Sequence, residues 1–277
     1  MRADLHSHTV ASDGALAPAA LVALAAGCGV GLLAVTDHDT LAGVAEAQEA
    51  GPAHGVRVVA GVELSVRAPS GSLHLLGYFP GADPQPLGAR LAGLRDARED
   101  RARRIVARLA EIGAPIDFAD VAARAAGAIG RPHLADALVA AGHVADRQEA
   151  FDRYLADGGP AWVPHEGLAP REAIELVRGS GGAPVLAHPA SLRMPPRELG
   201  AFVHRLTSYG LLGIEVHRPE HTPERRDHLT GIARRLRLVA AGGSDFHRPE
   251  EALRPGDTGT PPLPPDAIDR LLEAAAA

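Results

Sequence analysis

Short apolar runs alternate with helical stretches along most of this chain, and that alternation limits it to a few folds. The runs are Ala3–His6, Leu32–Thr36, Val56–Val62, Leu73–Phe79, Pro184–Ala187, Leu212–Val216 and Leu238–Ala241. Between most of them lie helical patterns: Pro18–Ala26, Leu41–Ala50, Glu172–Gly179, Glu198–Tyr209 and Glu224–Leu236. A strand that lies parallel to its predecessor needs a crossover, and a helix is the usual one. The pattern predicts an α/β protein with a parallel sheet or barrel. One junction differs. Val66–Gly71 contains Ala-Pro-Ser-Gly, so the third and fourth strands read as a hairpin.

Residues 84–165 break the alternation. They carry helical patterns at Arg90–Ile112, Asp117–Ala126, Pro132–Ala141 and Arg147–Ala156, with no obvious strand. The chain then divides into a barrel domain, 1–83 and 166–277, and a helical insertion, 84–165, and 277 residues suffice for both. Pro-Pro-Leu-Pro-Pro followed by Asp266–Ala276 reads as a linker and a last helix. Hydrophobic residues make up 46% and aromatics 3%, so the core must be built from Ala, Leu and Val.

Charge and cysteine content narrow the function. A net charge of -6 argues against a broad nucleic-acid face and against stable duplex binding. A phosphorylated substrate is compatible, because bound metal ions reverse local charge. Cys28 is the only cysteine, which excludes an intramolecular disulfide. No apolar run reaches membrane-spanning length, and an acid at position 4 speaks against a signal peptide. The expectation is a soluble cytoplasmic protein.

Metal-ligating residue types recur at or just after the apolar runs. His6 and His8 flank one residue and share a side if the chain is extended; Asp13 follows in a Ser-Asp-Gly turn. Asp37-His38-Asp39 follows the second run, and Glu63 the third. His188 follows the fifth, Glu215 lies within the sixth and His217 after it, and Asp245 and His247 follow the seventh. His74 lies in the fourth run, where its side chain can point inward. If the strands are parallel, these groups gather at one end of a barrel, the end that carries α/β-barrel active sites. One such histidine is unremarkable; the set together points to a metal site.

His6-x-His8, Thr36-Asp37-His38-Asp39, Ala187-His188-Pro189 and Ser244-Asp245-Phe246-His247 resemble the four motifs of the polymerase and histidinol phosphatase (PHP) superfamily. The resemblance is closer still to one bacterial group. Gly130-Arg131-Pro132-His133, Phe151-Asp-Arg-Tyr154, Pro160-Ala-Trp162-Val163-Pro164 and Gly242-Gly243-Ser244 resemble PHP phosphoesterases acting on nucleoside 3′,5′-bisphosphates and short 5′-phosphorylated oligonucleotides. That resemblance implies a distorted (β/α)7 barrel with a helical insertion and two or three divalent ions, Mn2+, Fe2+ or Zn2+. It implies that His6, His8, Glu63 and Asp245 hold one ion. Glu63 would bridge to a second, shared with His74 and His188, and Asp13, His38 and His247 would hold a third. A donor set of imidazoles and carboxylates suits those metals better than Ca2+.

The resemblance further implies a metal-dependent phosphoric ester hydrolase that uses a metal-activated water. Arg131 and His133 would contact a non-reacting substrate phosphate at a helix N-terminus. Asp37, His217 and His221 are the candidates for orienting a ligand or protonating the leaving group. The alternatives are a histidinol-phosphate-type monophosphatase and a non-catalytic PHP binding module. The Arg98–Arg108 run, mixed with Glu99, Asp100 and Glu111, reads as a solvated helix face. His54, His143, His165, His204 and His228 receive no role and read as solvated or capping.

Overall fold

Among the described residues, seven strands join in chain order into one sheet. They are β1 (Arg2–Asp4), β2 (Val30–Val35), β3 (Arg57–Val66), β4 (Leu73–Phe79), β5 (Ala183–Leu186), β6 (Gly213–His217) and β7 (Val239–Gly242). The computed structural model describes residues 1–80, 84, 87–165, 167–250 and 252–277. The insertion boundaries expected at 83/84 and 165/166 fall on residues outside that description.

All neighbouring strands are parallel except at β4, which runs antiparallel to both β3 and β5. The reversal follows from the hairpin, whose connection is too short for a crossover. Pairing with β4 carries β3 on to Val66, beyond the expected end at Val62. Because β4 is reversed, its first residues lie at the rim where the parallel strands end.

The sheet curls until its two ends meet. Leu5 N–H donates to Gly242 O at 3.3 Å, Asp245 N–H to His6 O at 2.9 Å, and His8 N–H to Phe246 O at 3.0 Å. This seam needs Gly243, where a Cβ would stand 2.4 Å from the Cβ of His6. Asp4 staples the seam from inside. Its buried carboxylate accepts from the N–H groups of His6, Ser244 and Gly256 and from the Ser244 hydroxyl, at 2.6 to 3.2 Å. The result is a distorted, nearly closed (β/α)7 barrel, as the family resemblance implies.

The helices are α1 (Pro18–Gly27), α2 (Val44–His54), α3 (Leu87–Glu111), α4 (Phe118–Arg124), α5 (Arg131–Ala140), α6 (Arg147–Ala150), α7 (Pro170–Gly179), α8 (Pro196–Thr207), α9 (Pro223–Leu236) and α10 (Ala267–Ala276). Proline stands in the first turn of α1, α5, α7, α8 and α9, where its missing N–H costs least. α8 shows how the outer helices pack. It buries Leu199, Phe202, Val203 and Leu206, one stripe at helical spacing. Inside the barrel, Leu5, Leu32, Leu76, Tyr78 and Val185 pack with Ile268 and Leu271 of α10.

Helices α3 to α6 build a separate core around Ile105, Leu109, Val121, Leu134 and Leu138. The expected last helix of this layer, Arg147–Ala156, is α6 continued by a π turn at Phe151–Leu155. The buried stripe of α3 runs Leu87, Leu91, Leu94, Arg98, Ala102, Ile105, Leu109. Arg98 is therefore not on a solvated face, contrary to the sequence expectation; Arg103 and Arg108 are exposed as expected.

Candidate metal centre

Nine side chains converge at the rim: His6, His8, Asp13, His38, Glu63, His74, His188, Asp245 and His247. They arrive from the segments after β1, β2, β5 and β7, from β3 itself, and from the start of β4. Glu63 is the centre of the arrangement. Its Oε2 lies 3.3 Å from His6 Nε2, 3.3 Å from His8 Nε2 and 3.0 Å from His38 Nδ1. Its Oε1 lies 2.9 Å from His74 Nδ1 and 2.7 Å from His188 Nε2. Each oxygen thus faces a different set of imidazoles.

Among the described residues, three groups of ligand atoms are close enough to share an ion. They are His6, His8, Glu63 and Asp245; His8, Asp13, His38 and His247; and His38, Glu63 and His74. Asp245 Oδ1 is 3.2 Å from both His6 Nε2 and His8 Nε2. Asp13 is 3.5 Å from His247 Nε2 and 3.7 Å from His38 Nε2. His8 stacks on His247 with ring centres 4.2 Å apart, so it borders two of these groups.

The donor atoms fit a metal. His6 Nε2, His8 Nε2, His38 Nδ1 and Asp13 Oδ1 are buried and lack any hydrogen-bond partner. Orphaned buried nitrogens cost free energy unless something else binds them. The opposite ring nitrogens of several ligands are tied to protein. His6 Nδ1 donates to Glu215 at 3.1 Å, His247 Nδ1 donates to the Asp245 carbonyl at 2.7 Å, and His188 Nδ1 lies 3.0 Å from Ser191 Oγ. Outer-shell bonds of this kind orient metal-ligating imidazoles.

Electrostatics agree. Burial opposes ionisation of Glu63, yet His38, His74 and His6 hold its carboxyl well below the usual range. Burial likewise works against Asp13 and Asp245, and neighbouring His38 and His6, respectively, hold them low. Burial pulls His8 down, but Asp245 and Glu63 override it and raise its imidazole to about 10. Burial also pushes His38 and His74 down, in the direction of the neutral imidazole that a metal ligand must be. Backbone strain concentrates here too. Asp39, His188 and Asp245 hold positive φ angles of 52°, 22° and 57° at three strand ends.

Arg218 was not expected at the rim, and Glu215, a ligand type in the sixth run, had no role assigned to it. Glu215 is fully buried, accepts from His6 Nδ1, and accepts from His188 N–H at 2.5 Å. Arg218 is also buried and bridges Glu215 at 3.2 Å and Asp245 Oδ2 at 3.1 Å, leaving Asp245 Oδ1 facing the histidines. A carboxylate in the middle of Ile-Glu215-Val was the available signal, since a buried acid in a strand needs partners.

The remaining expected residues lie as follows. Asp37 accepts from Thr9 N–H, Thr9 Oγ1 and Ser12 Oγ, each at 2.7 Å, and so anchors the loop carrying His8 and Asp13. His217 Nδ1 donates to Pro261 O at 3.1 Å and His221 Nδ1 to Val216 O at 2.9 Å. The structure does not pair either with any of the nine. His133 Nδ1 caps α5 by accepting from Gly130 N–H at 3.0 Å. Arg131 donates to Leu155 O at 3.1 Å and pairs with Asp157 at 2.7 Å. It lines a cavity with His74, Arg101, Trp162 and His165. His165 is therefore neither a cap nor solvated: both of its ring nitrogens are buried without partners.

Known proteins match this geometry. A model described as PHP domain matches residues 4–119. The chain is 36% identical over 285 residues to a 3′,5′-nucleoside bisphosphate phosphatase of Chromobacterium violaceum, covering 98% of this chain and 96% of that one. The chain belongs to the PHP family. It is also 36% identical to the 5′-3′ exoribonuclease Rnm of Escherichia coli over 89% of this chain and 85% of that protein. A solved Bifidobacterium adolescentis protein, described as a metal-dependent phosphoesterase, superposes on this PHP chain with a TM-score of 0.88 at 33% identity, covering 98% and 96% of the two chains. The PHP barrel and its rim are thus those of a hydrolase of phosphate esters, with clusters fit for divalent ions.

Proposed function

We propose that this PHP phosphoesterase hydrolyses phosphate esters of nucleotides: nucleoside 3′,5′-bisphosphates, short 5′-phosphorylated oligonucleotides, or both. The observation that carries the reading is the cavity of about 270 Å³ beside His74, lined by Ser72, Arg101, Arg131, Trp162 and His165 among others. Arg101 donates to Val163 O at 2.9 Å. Burial, then the neighbouring Arg131 and Arg98, push its guanidinium down to about 9, so it is still charged at neutral pH. Two cations held close together are relieved by an anion. Burial and the same arginines push His165 down to about 2, leaving a neutral ring with one N–H to donate. Trp162 offers a flat face for a base. The names of the C. violaceum and E. coli relatives agree with a substrate of this kind.

In this reading the reacting phosphate sits at the rim and a second phosphate in the cavity. His6, His8, Asp13, His38, Glu63, His74, His188, Asp245 and His247 would hold two or three divalent ions, with Mn2+, Fe2+ or Zn2+ the metals that suit them. Such ions supply charge neutralisation and an acidified water as nucleophile. Three rim carboxylates are outweighed by two divalent ions, so the loaded rim attracts an anion. Arg131 and Arg101 hold the non-reacting phosphate; His133 is not among the residues that line this cavity, so its Nε2–H would meet the substrate from the Asp13 side. Helices α3 to α6 act as the substrate cap. Asp37, His217 and His221 serve by position: Asp37 accepts three hydrogen bonds, and each histidine commits its Nδ1–H to a carbonyl. The working compartment is the cytoplasm, where nucleotide substrates and a lone reduced cysteine are at home.

The test is a kinetic panel of a nucleoside 3′,5′-bisphosphate, a 5′-phosphorylated dinucleotide, histidinol phosphate and a plain phosphate monoester. The reading expects the nucleotide substrates to lead in kcat/KM. A lead for histidinol phosphate would replace it with the monophosphatase reading.

A further inference from the structure

Arg98 occupies a place where an apolar residue would be expected. It interrupts the buried stripe of α3 between Leu94 and Ala102. A buried guanidinium is a poor device for stability, because desolvation offsets most of the attraction to its partner. Its partners suggest another use. Arg98 Nε donates to Asp39 Oδ2 at 2.5 Å, and its Nη2 donates to Ser65 Oγ at 2.7 Å. The same Asp39 carboxylate accepts from Ser65 N–H at 2.8 Å and Ser65 Oγ at 2.7 Å. Asp39 is fully buried and sits at φ 52°, a left-handed conformation that its surroundings must impose.

His38 lies between two clamped carboxylates. On one side Asp37 is held by Thr9 and Ser12, both from the barrel. On the other side Asp39 is held by Ser65 of β3 and by Arg98 of α3. Asp39 N–H donates to Glu63 O at 3.0 Å, and Glu63 N–H donates to Asp37 O at 3.1 Å. The backbone on both sides of His38 is thereby locked to the residue whose carboxylate its ring faces. The Asp39 side reaches the helical layer through the side chain of Arg98, whereas the loop on the Asp37 side meets it through backbone, with Ala128 N–H donating to Ala11 O at 3.0 Å.

We propose that Arg98 is a positioning residue: through Asp39 it aims His38 at Glu63, so the metal rim depends on helix α3. The inference rests on the metal-centre reading. It assigns Arg98 no contact with substrate. Loosening the clamp should weaken the ion that His38 helps to hold and leave nucleotide affinity alone.

The experiment titrates metal-free protein with Mn2+ by calorimetry and measures kcat and KM at saturating and limiting Mn2+. The variants are Arg98→Lys, which keeps the charge but loses the fork, and Arg98→Leu with Asp39→Asn, which removes both charges together and restores the apolar stripe. Melting curves verify that each is folded. The expected result is one Mn2+ site weakened by about ten- to a hundredfold, the scale of outer-shell losses at metal sites. Turnover should recover with added Mn2+ and KM for a nucleoside bisphosphate should stay unchanged. Arg98→Lys should fall between wild type and the double variant. Unchanged Mn2+ binding in folded variants would overturn the proposal. So would a raised KM with normal Mn2+ binding, which would make Arg98 a substrate cation. Failure of the wild type to bind Mn2+ would instead remove the metal-centre reading itself.

Discussion

The barrel rim and the helical layer handle buried charge in opposite ways. At the rim, imidazole nitrogens and carboxylate oxygens point at one another and several are left without partners. In the layer, Arg131 and Arg101 are tied to carbonyls and to Asp157, and it is their positive charge that is left in excess. The first arrangement fits cations. In the proposed reading the second would take an anion. A phosphoesterase for doubly phosphorylated substrates needs both, at a fixed separation, because binding a remote phosphate can be used to orient the reacting one.

The comparison breaks most visibly at Glu63. Glu63→Ala removes the group that faces both sets of imidazoles. We expect bound metal to fall and kcat to drop on the order of a thousandfold or more, since metal-centred charge stabilisation is worth several kcal/mol. Metal analysis and turnover check this, and near-normal activity would take Glu63 out of the centre.

Arg131→Ala should do the reverse. Metal content should hold, and kcat/KM for a nucleoside bisphosphate should fall about ten- to a hundredfold, the roughly 1.5–3 kcal/mol of a charge-assisted bond to phosphate. A plain monoester should lose much less. Equal losses on both would move Arg131 to the reacting phosphoryl group.

Proton linkage sharpens the contrast further. His8 is held at about 10 in the metal-free protein, so at pH 7 an ion must displace its proton. Apparent metal affinity should therefore rise by about tenfold per pH unit for each proton displaced, until pH approaches that value. The sign for folding is opposite. The stability that His8 gives the metal-free fold is present at low pH and is lost as pH rises through about 10. Calorimetry in buffers of different ionisation enthalpy reads the protons released.

The smallest expected effect on the rim comes from the core of the helical layer. Leu138→Ala opens a cavity there and should cost about 2–5 kcal/mol of stability. Because this core is separate from the barrel clusters, Mn2+ binding per folded molecule should not change. A denaturant titration paired with metal analysis tests it.

The two regions also differ in what the sequence discloses. Rim ligands follow apolar strands, so His6, His38, His188 and Asp245 announce themselves by position. Even the reversed β4 is visible, because Ala-Pro-Ser-Gly between two short apolar runs reads as a hairpin turn. Residues of the layer carry no such marker. Arg101 looks like any arginine on a charged helix, and His165 like any loop histidine. Only folding of α3 against the barrel turns them toward His74. Arg98 was misread as solvated from its charged neighbours, although the spacing of Leu91, Leu94, Ile105 and Leu109 places it in the apolar stripe. Arg218 was hidden, and Glu215 was visible but without a role, because their task is to hold other side chains and a sequence does not show who holds whom.

The central claim is that Glu63 joins two metal positions at the rim. Anomalous diffraction from crystals loaded with Mn2+ tests it most directly. Two or more peaks are expected, each within bonding distance of its ligand atoms. One should lie beside His6, His8 and Asp245 and contact one Glu63 oxygen, and another beside His74 and His188 should contact the other. A single peak touching only one oxygen of Glu63, or no peak among these residues, would contradict it.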